Sequence, residues 1–365
     1  MSKKLYLHIG TPKTGTTLLQ FIFRDKSEAM KQEGLIYADY GDYARKVFGG
    51  EVPDSRSFFE ELSKKCSSTY DALISTEFLA GTSPLVGRVD IKELAQSLKK
   101  ATDGLFEVKI IIYLRRIDLW LESKYMQYIS GGLGLDISFK EYLKLNDIDN
   151  FDFNKVVKAY SDAFGKENMI VRIYDKKHLP KKTSLINQFA DILKLNCLKD
   201  INLSKYSTTE SNSGFNRIAV EIARLCMPLA SKEEQKEVRR VLSYASRKVP
   251  FQKNIFFTME ERRDLLRKKT KSYEVIKKEY FPNFKGELFS ELEDMGEPNG
   301  QLTVDDTART LLMAILAPSP HEHILTMRSL LVIYKIERAL RKNSFLKAIG
   351  KTVMRIFGIK DKEQK

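Results

Sequence analysis

The chain has 365 residues, 42% of them hydrophobic and 30% charged, with 62 basic against 48 acidic side chains and a net charge of +14. That size and mix argue against a disordered or fibrous chain and point to one large soluble domain, with or without an appendage. The basic excess admits an anionic ligand, nucleic acid or an anionic membrane face, and the three scattered cysteines, Cys66, Cys197 and Cys226, argue against a disulfide framework.

The N-terminus, M-S-K-K-L-Y-L-H-I-G, enters a strand at once, without a secretory apolar region or cleavage site, so a cytoplasmic protein is expected. No stretch approaches the ~20 apolar residues that a membrane span needs. Leu5 to Ile9 is the first strand. It runs into I-G-T-P-K-T-G-T-T-L-L-Q, Ile9 to Gln20. Gly10 and Gly15 keep the glycine spacing of a nucleotide-triphosphate loop, but Thr16 stands where such a loop carries its lysine. The lysine of this stretch, Lys13, lies inside the loop. A strand, a glycine-containing turn and a helix start place backbone N–H groups around an anion at the positive end of the helix. Thr16 and Thr17 add hydroxyls, and Lys13 adds charge without a metal.

Thr16 to Gln32 reads as the first helix, closing before Gly34, and Ala72 to Ser75 as a weaker second strand within L-I-S-T-E-F, which places Glu77 just past its end. A helix over Ile91 to Ala101 closes before Gly104. Val108 to Leu114, V-K-I-I-I-Y-L, is the strongest strand. It ends in Arg115-Arg116, where a magnesium-dependent triphosphate enzyme has an aspartate. The helix over Asp118 to Ser130 closes before Gly131 and carries Ser123, Tyr125 and Gln127. A helix over Asn154 to Phe164 closes before Gly165, and a strand spans Met169 to Tyr174. Strands alternating with helices predict an α/β fold: a P-loop-type three-layer arrangement with a central parallel sheet flanked by helices, followed by a mostly helical C-terminal part.

The expected layout is a domain over 1–290, with its α/β core at about 1–180 and a helical completion at about 181–290, then a linker at 291–302 and a basic helical segment at 303–365. In the helical completion, Leu185, Ile186, Phe189, Ile192 and Leu193 form an apolar stripe. Ser231 with Glu234, and Thr258 with Glu261, have the spacing of capping boxes. In the basic segment, Met327 to Lys360 mixes apolar residues with cations. Such a helix suits peripheral association with an anionic membrane, the inner face for a cytoplasmic protein; packing back on the domain or a dimer contact is the other reading. His321 and His323, two residues apart beside prolines, have poor geometry for joint metal ligation. No cationic stripe with interleaved aromatics is present, so no nucleic-acid partner is expected.

Taken together, T-P-K-T-G-T-T after the first strand and the spacing from Arg115 to Ser123 resemble the sulfotransferase family that uses 3′-phosphoadenosine 5′-phosphosulfate (PAPS). The longer pattern, L-H-I-G-T-P-K-T-G-T-T-L-L-Q with L-R-R-I-D-L-W-L-E-S-K-Y-M-Q, is especially similar to bacterial sulfotransferases acting on carbohydrates. The resemblance covers roughly residues 5 to 290, with its specificity in these two segments. It implies that Thr11, Pro12, Lys13, Thr14, Gly15, Thr16 and Thr17 hold the 5′-phosphosulfate of PAPS, and that Arg115 and Ser123 hold its 3′-phosphate. The implied reaction is sulfuryl transfer, with no metal required, to a hydroxyl of a saccharide or glycolipid. Lys13 then neutralises the bridging oxygen as the sulfate leaves. Glu77 is the candidate base, with His8 as its rival; a satisfied core histidine is the other reading of His8. The resemblance lets Tyr125 and Gln127 line the substrate or nucleotide site, with packing as the equal alternative, and Trp120 reads as core.

The R-K-G loop that completes the 3′-phosphate site in cytosolic small-molecule sulfotransferases is absent, which leaves open which later residues cover the adenosine. The alternative reading is a kinase-like phosphotransferase with a degenerate nucleotide loop. The lysine placement and the missing strand-end aspartate speak against it.

Overall fold

A computed structural model describes residues 3–39, 55–66, 69–81, 90–131, 137–147, 151–181, 183–206, 214–248, 254–296, 298 and 310. His321, His323 and, apart from Thr310, the basic segment at 303–365 lie outside the described residues. These residues fall into two compact units. One is drawn from Met1–Trp120, Asn146–Ser207 and Arg263–Glu293; the other is drawn from Leu121–Leu145, Thr208–Arg262 and Asp294–Lys365.

The first unit is an α/β three-layer fold. Its elements in chain order are β1 (Lys4–His8), α1 (Thr16–Asp25), α2 (Ser27–Gln32), β2 (Leu35–Ala38), α3 (Ser55–Cys66) and β3 (Asp71–Ser75). A 3-10 turn over Glu77–Ala80 follows, then α4 (Ile91–Thr102) and β4 (Glu107–Leu114). Helix α5 (Ile117–Ser130) gives its first turn to this unit and the rest to the second, which also holds α6 (Phe139–Leu145). The chain returns with α7 (Phe153–Phe164), β5 (Met169–Ile173) and α8 (Ser184–Leu193). Beyond these come α9 (Arg217–Cys226), α10 (Lys232–Lys248) and α11 (Met259–Tyr280).

The five strands pair in the order β2-β3-β1-β4-β5, every neighbour parallel. Such a sheet needs cover on both faces, so its central strands read as continuous apolar runs. Ile110 to Leu114 of β4 meet that demand, each fully buried. One face carries Tyr6, Leu73, Ile111 and Tyr113, and packs on Leu19, Ile22 and Phe23 of α1 and on Leu185, Ile186, Phe189 and Leu193 of α8. Helices α3, α4 and α7 cover the other face, α3 resting on β3 and α7 on β4 and β5. Because β1 lies between β3 and β4, the chain segments leaving the C-terminal ends of these three strands converge. That switch point is where open parallel sheets bind ligands.

Two local expectations change. The single helix read over Thr16 to Gln32 breaks at Lys26 (φ −100°, ψ 7°), so α1 follows the sheet while α2, anchored by its buried Met30, redirects the chain into β2. The strand read as second, Ala72 to Ser75, is third in the chain, because Leu35–Ala38 precedes it as a four-residue edge strand. Gly34, Gly104 and Gly165 do take positive φ after their helices (91°, 69° and 91°). Both capping boxes form. Ser231 N donates to Glu234 Oε2 (2.8 Å) and Glu234 N to Ser231 Oγ (3.3 Å), while Thr258 and Glu261 exchange the same bonds at 2.9 and 3.1 Å.

In the second unit, α5 is held by a buried ion pair. Glu122 accepts from Arg262 and from the backbone N–H groups of Phe256 (2.8 Å) and Phe257 (3.3 Å). Asn216 caps α9, its side chain accepting from Ala219 N at 2.9 Å.

Candidate active site

Past His8 the chain continues the ladder to β4, Ile9 N donating to Ile111 O and Thr11 N to Tyr113 O, both at 3.0 Å. The turn that follows needs its two glycines. Gly10 has φ 99°, and a Cβ there would come within 3.3 Å of the Cα and Cβ of Glu77. Gly15 has φ 81°, and a Cβ there would meet Leu185 Cδ2 at 2.6 Å. Both positions combine the left-handed region with a close approach, which glycine alone allows without strain.

The three carbonyls at the loop apex are each tied to a side-chain donor. Thr14 Oγ1 donates to Thr11 O (2.6 Å), Trp120 Nε1 to Pro12 O (2.9 Å) and Arg115 Nη1 to Lys13 O (2.9 Å). Among the described residues, no backbone carbonyl accepts from the N–H groups of Lys13 through Leu18. Carbonyls held away and amides left open, at the start of α1, make an anion cradle. Lys13 sits in it with φ 66°, a left-handed conformation that is uncommon for a residue with a Cβ. Its half-buried ammonium is held below the usual lysine range. Burial is the main cause, and Arg115 adds to it while the Glu77 carboxylate opposes it.

Glu77 opens the 3-10 turn after β3. Thr76 N donates to His8 O (2.9 Å), and Thr76 Oγ1 accepts from Phe78 N (3.4 Å). The carboxylate accepts from Thr16 Oγ1 at 2.7 Å. Arg115, one residue beyond β4, lies with its guanidinium 5.8 Å from the centre of the Tyr174 ring. Its neighbour Arg116 turns away, making two bonds to buried Asp118 (2.8 and 3.0 Å) and bonds to the carbonyls of Ser290 (3.1 Å) and Glu291 (3.3 Å). The structure therefore brings Lys13, Thr16, Glu77 and Arg115 together, with Thr17 exposed on the first turn of α1.

His8 is placed in the core. Its ring is fully buried, packed edge-on against Phe189 (5.0 Å) and Tyr113 (6.1 Å). Its Nδ1 lies 2.8 Å from Ser75 Oγ, and Nε2 has no partner among the described residues. Burial pushes its pKa down to about 3, so the imidazole is neutral. Ser123, Tyr125 and Gln127 belong to the second unit. Ser123 is buried and Gln127 exposed. Tyr125 is a core side chain there, its hydroxyl donating to Ile137 O (2.8 Å) and its ring packed on Phe139, Tyr142 and Phe256.

Sequence reasoning missed two supports. Trp120 is a core residue, buried against Phe151 and Phe153, but its indole N–H also braces the loop. The signal was available: a buried indole is a donor in need of an acceptor. The Thr16 to Glu77 bond had no local signal, since the two residues are 61 apart in sequence.

No family model matches the chain. An uncharacterized protein of Archaeoglobus fulgidus is 30% identical over 176 residues, which are 47% of this chain and 46% of that protein. The chain thus matches about half of that relative's length. A solved structure, the crystal structure of sulfotransferase from Alicyclobacillus acidocaldarius, aligns over 65% of this chain and 100% of its own, at 13% identity and a TM-score of 0.35. A likeness of that degree carries no functional statement.

Proposed function

We propose that this protein is a PAPS-dependent sulfotransferase that transfers a sulfuryl group to a hydroxyl of a saccharide or glycolipid. The observation that carries the reading is the position of Lys13. It stands inside an anion cradle, within electrostatic reach of Glu77 and Arg115, where a triphosphate loop has no lysine. A sulfuryl group carries less negative charge than a terminal phosphoryl group, so one ammonium with open amides is a chemically sufficient electrophile.

The step is an in-line displacement. Glu77 takes the proton of the acceptor hydroxyl as the acceptor oxygen bonds to sulfur. The bond from sulfur to the bridging oxygen breaks, and the charge that collects on that oxygen is met by Lys13 and the amides at the start of α1. The products are the sulfate ester, with its proton on Glu77, and adenosine 3′,5′-bisphosphate. Arg115 braces the loop through Lys13 O, and the planar fork of its guanidinium is suited to a 3′-phosphate. The buried, neutral His8 is given no proton-transfer role.

Calorimetry with adenosine 3′,5′-bisphosphate against ATP with magnesium tests the reading, followed by a labelled-sulfate screen of glycans. Binding of the bisphosphate in preference to metal-bound ATP is expected; the reverse preference overturns it.

A further inference from the structure

The apex of the anion cradle is a turn centred on Pro12 and Lys13. Proline confines its own φ to the negative range, while Lys13 has φ 66°. A negative φ followed by a positive one marks a type II turn, which favours glycine at the second of these positions. Flipping the Pro12–Lys13 peptide would give a type I turn and return Lys13 to a φ of about −90°, which a residue with a Cβ adopts more readily. The observed turn therefore needs a contact that holds this peptide.

The indole of Trp120 supplies it, Nε1–H donating to Pro12 O at 2.9 Å. A trans peptide points its carbonyl and N–H in opposite directions. The bond that draws Pro12 O to the indole thus turns Lys13 N–H away from it, where it meets no backbone carbonyl among the described residues. A flipped peptide exchanges the two and offers the anion a carbonyl oxygen in place of a donor. Arg115, bonded to Lys13 O, fixes the peptide after Lys13; Trp120 fixes the one before. The ring itself is clamped. It is 3% exposed, stacked on Phe151 (5.0 Å, 6°) and edge-on to Phe153 (5.4 Å). Phe151 is held from α11, its carbonyl accepting from Lys269 Nζ at 2.6 Å.

We propose that Trp120 is a positioning residue: its indole N–H locks the Pro12–Lys13 peptide in the orientation that binds the donor's anion. This inference rests on the sulfotransferase reading above. The test measures the affinity of the full chain for adenosine 3′,5′-bisphosphate by calorimetry. The variants are Trp120→Phe, which keeps a ring on Phe151 without the donor, Lys13→Gly, and the two together. Trp120 is the chain's single tryptophan, so expression with the benzothiophene analogue of tryptophan replaces it alone, keeping its shape while sulfur takes the place of N–H.

Trp120→Phe is expected to weaken bisphosphate binding by about fivefold to thirtyfold, the range for leaving a buried hydrogen-bonding group unpaired. In the Lys13→Gly background the same substitution should cost less than about twofold, because glycine takes the positive φ unaided. The analogue protein should show the loss of Trp120→Phe, and it carries the test where the phenylalanine variant does not fold. Equal losses in the Lys13 and Gly backgrounds overturn the proposal, since a general packing role does not depend on residue 13. So does an analogue protein that binds the bisphosphate within about twofold of wild type, a change too small for a lost buried bond. Wild-type protein that binds no bisphosphate overturns the parent reading and this inference with it, a result distinct from the variant outcomes.

Discussion

Replacing Lys13 with alanine removes the ammonium and little else. The residue sits at φ 66°, and alanine keeps a Cβ there, so the backbone strain is the same before and after the change. The loop carbonyl held by Arg115 also remains, because that bond is to the backbone of residue 13. What disappears is one positive charge in a half-buried site, which the proposed mechanism sets against charge that develops on the leaving oxygen. At an effective dielectric of about 20, a charge pair at about 4 Å is worth about 4 kcal/mol, and deleting one oxyanion donor costs about 10²–10³ in kcat. A fall of that size in kcat is therefore expected, with a smaller rise in the KM for PAPS, read from labelled-sulfate transfer at saturating donor. A second readout uses pH. Because burial and Arg115 lower the lysine pKa, the ammonium is lost at lower pH than in free lysine, and the alkaline limb of kcat falls correspondingly early. Lys13→Arg should remove that limb, since a guanidinium does not titrate there. A Lys13→Ala protein that is folded and within threefold of wild type in kcat, about 0.7 kcal/mol, refutes the role assigned to this residue.

Arg115→Ala should weaken binding of adenosine 3′,5′-bisphosphate more than binding of adenosine 5′-monophosphate in calorimetry; an equal loss for both removes the 3′-phosphate from its role and leaves only the brace on Lys13 O. Glu122→Ala leaves the fully buried Arg262 without its carboxylate and two backbone N–H groups without their acceptor, so a loss of about 3–5 kcal/mol in urea unfolding is expected, and a loss under 1 kcal/mol contradicts the buried pair. Binding of adenosine 3′,5′-bisphosphate should raise the depressed Lys13 pKa and so take up protons at alkaline pH, detectable by repeating calorimetry in buffers of different ionisation enthalpy; identical apparent enthalpies would place the anion away from Lys13.

The fold and the cluster were legible in the sequence to unequal depth, for reasons tied to particular residues. Val108 to Leu114 announces a doubly covered strand because a central parallel strand must be apolar on both faces, and its end fixes where Arg115 lies. The glycines at 10 and 15 announce the turn because their positive φ and close neighbours exclude other residues. Leu35–Ala38 escaped notice as an edge strand of four residues, only the first of them buried, too short to show a period. The bond between Thr16 and Glu77 depends on β3, rather than β2, lying beside β1, and strand order is not written in local pattern. His8 was ambiguous for a related reason. A period of two says that it shares a face with Tyr6, but only the packing of α8, with Phe189, shows that this face is sealed.

The loop departs from a triphosphate loop by moving one charge, and the surrounding residues make that departure coherent. With lysine in the first helical turn, residue 16 would reach back over the phosphates. Threonine there is too short to do so, and it reaches sideways to Glu77 instead. The cation is carried by the apex residue, whose backbone is held in the left-handed region by a second cation, Arg115, bonded to its carbonyl. Two positive side chains with one carboxylate leave a net positive charge in the cluster, and burial is the main cause that holds the lysine pKa down. An anion bound to the open amides supplies the missing charge without a metal ion. Glu77 enters from the end of β3 and is tied to the start of α1 through Thr16, so the proposed base and the proposed electrophile are held by one connected segment.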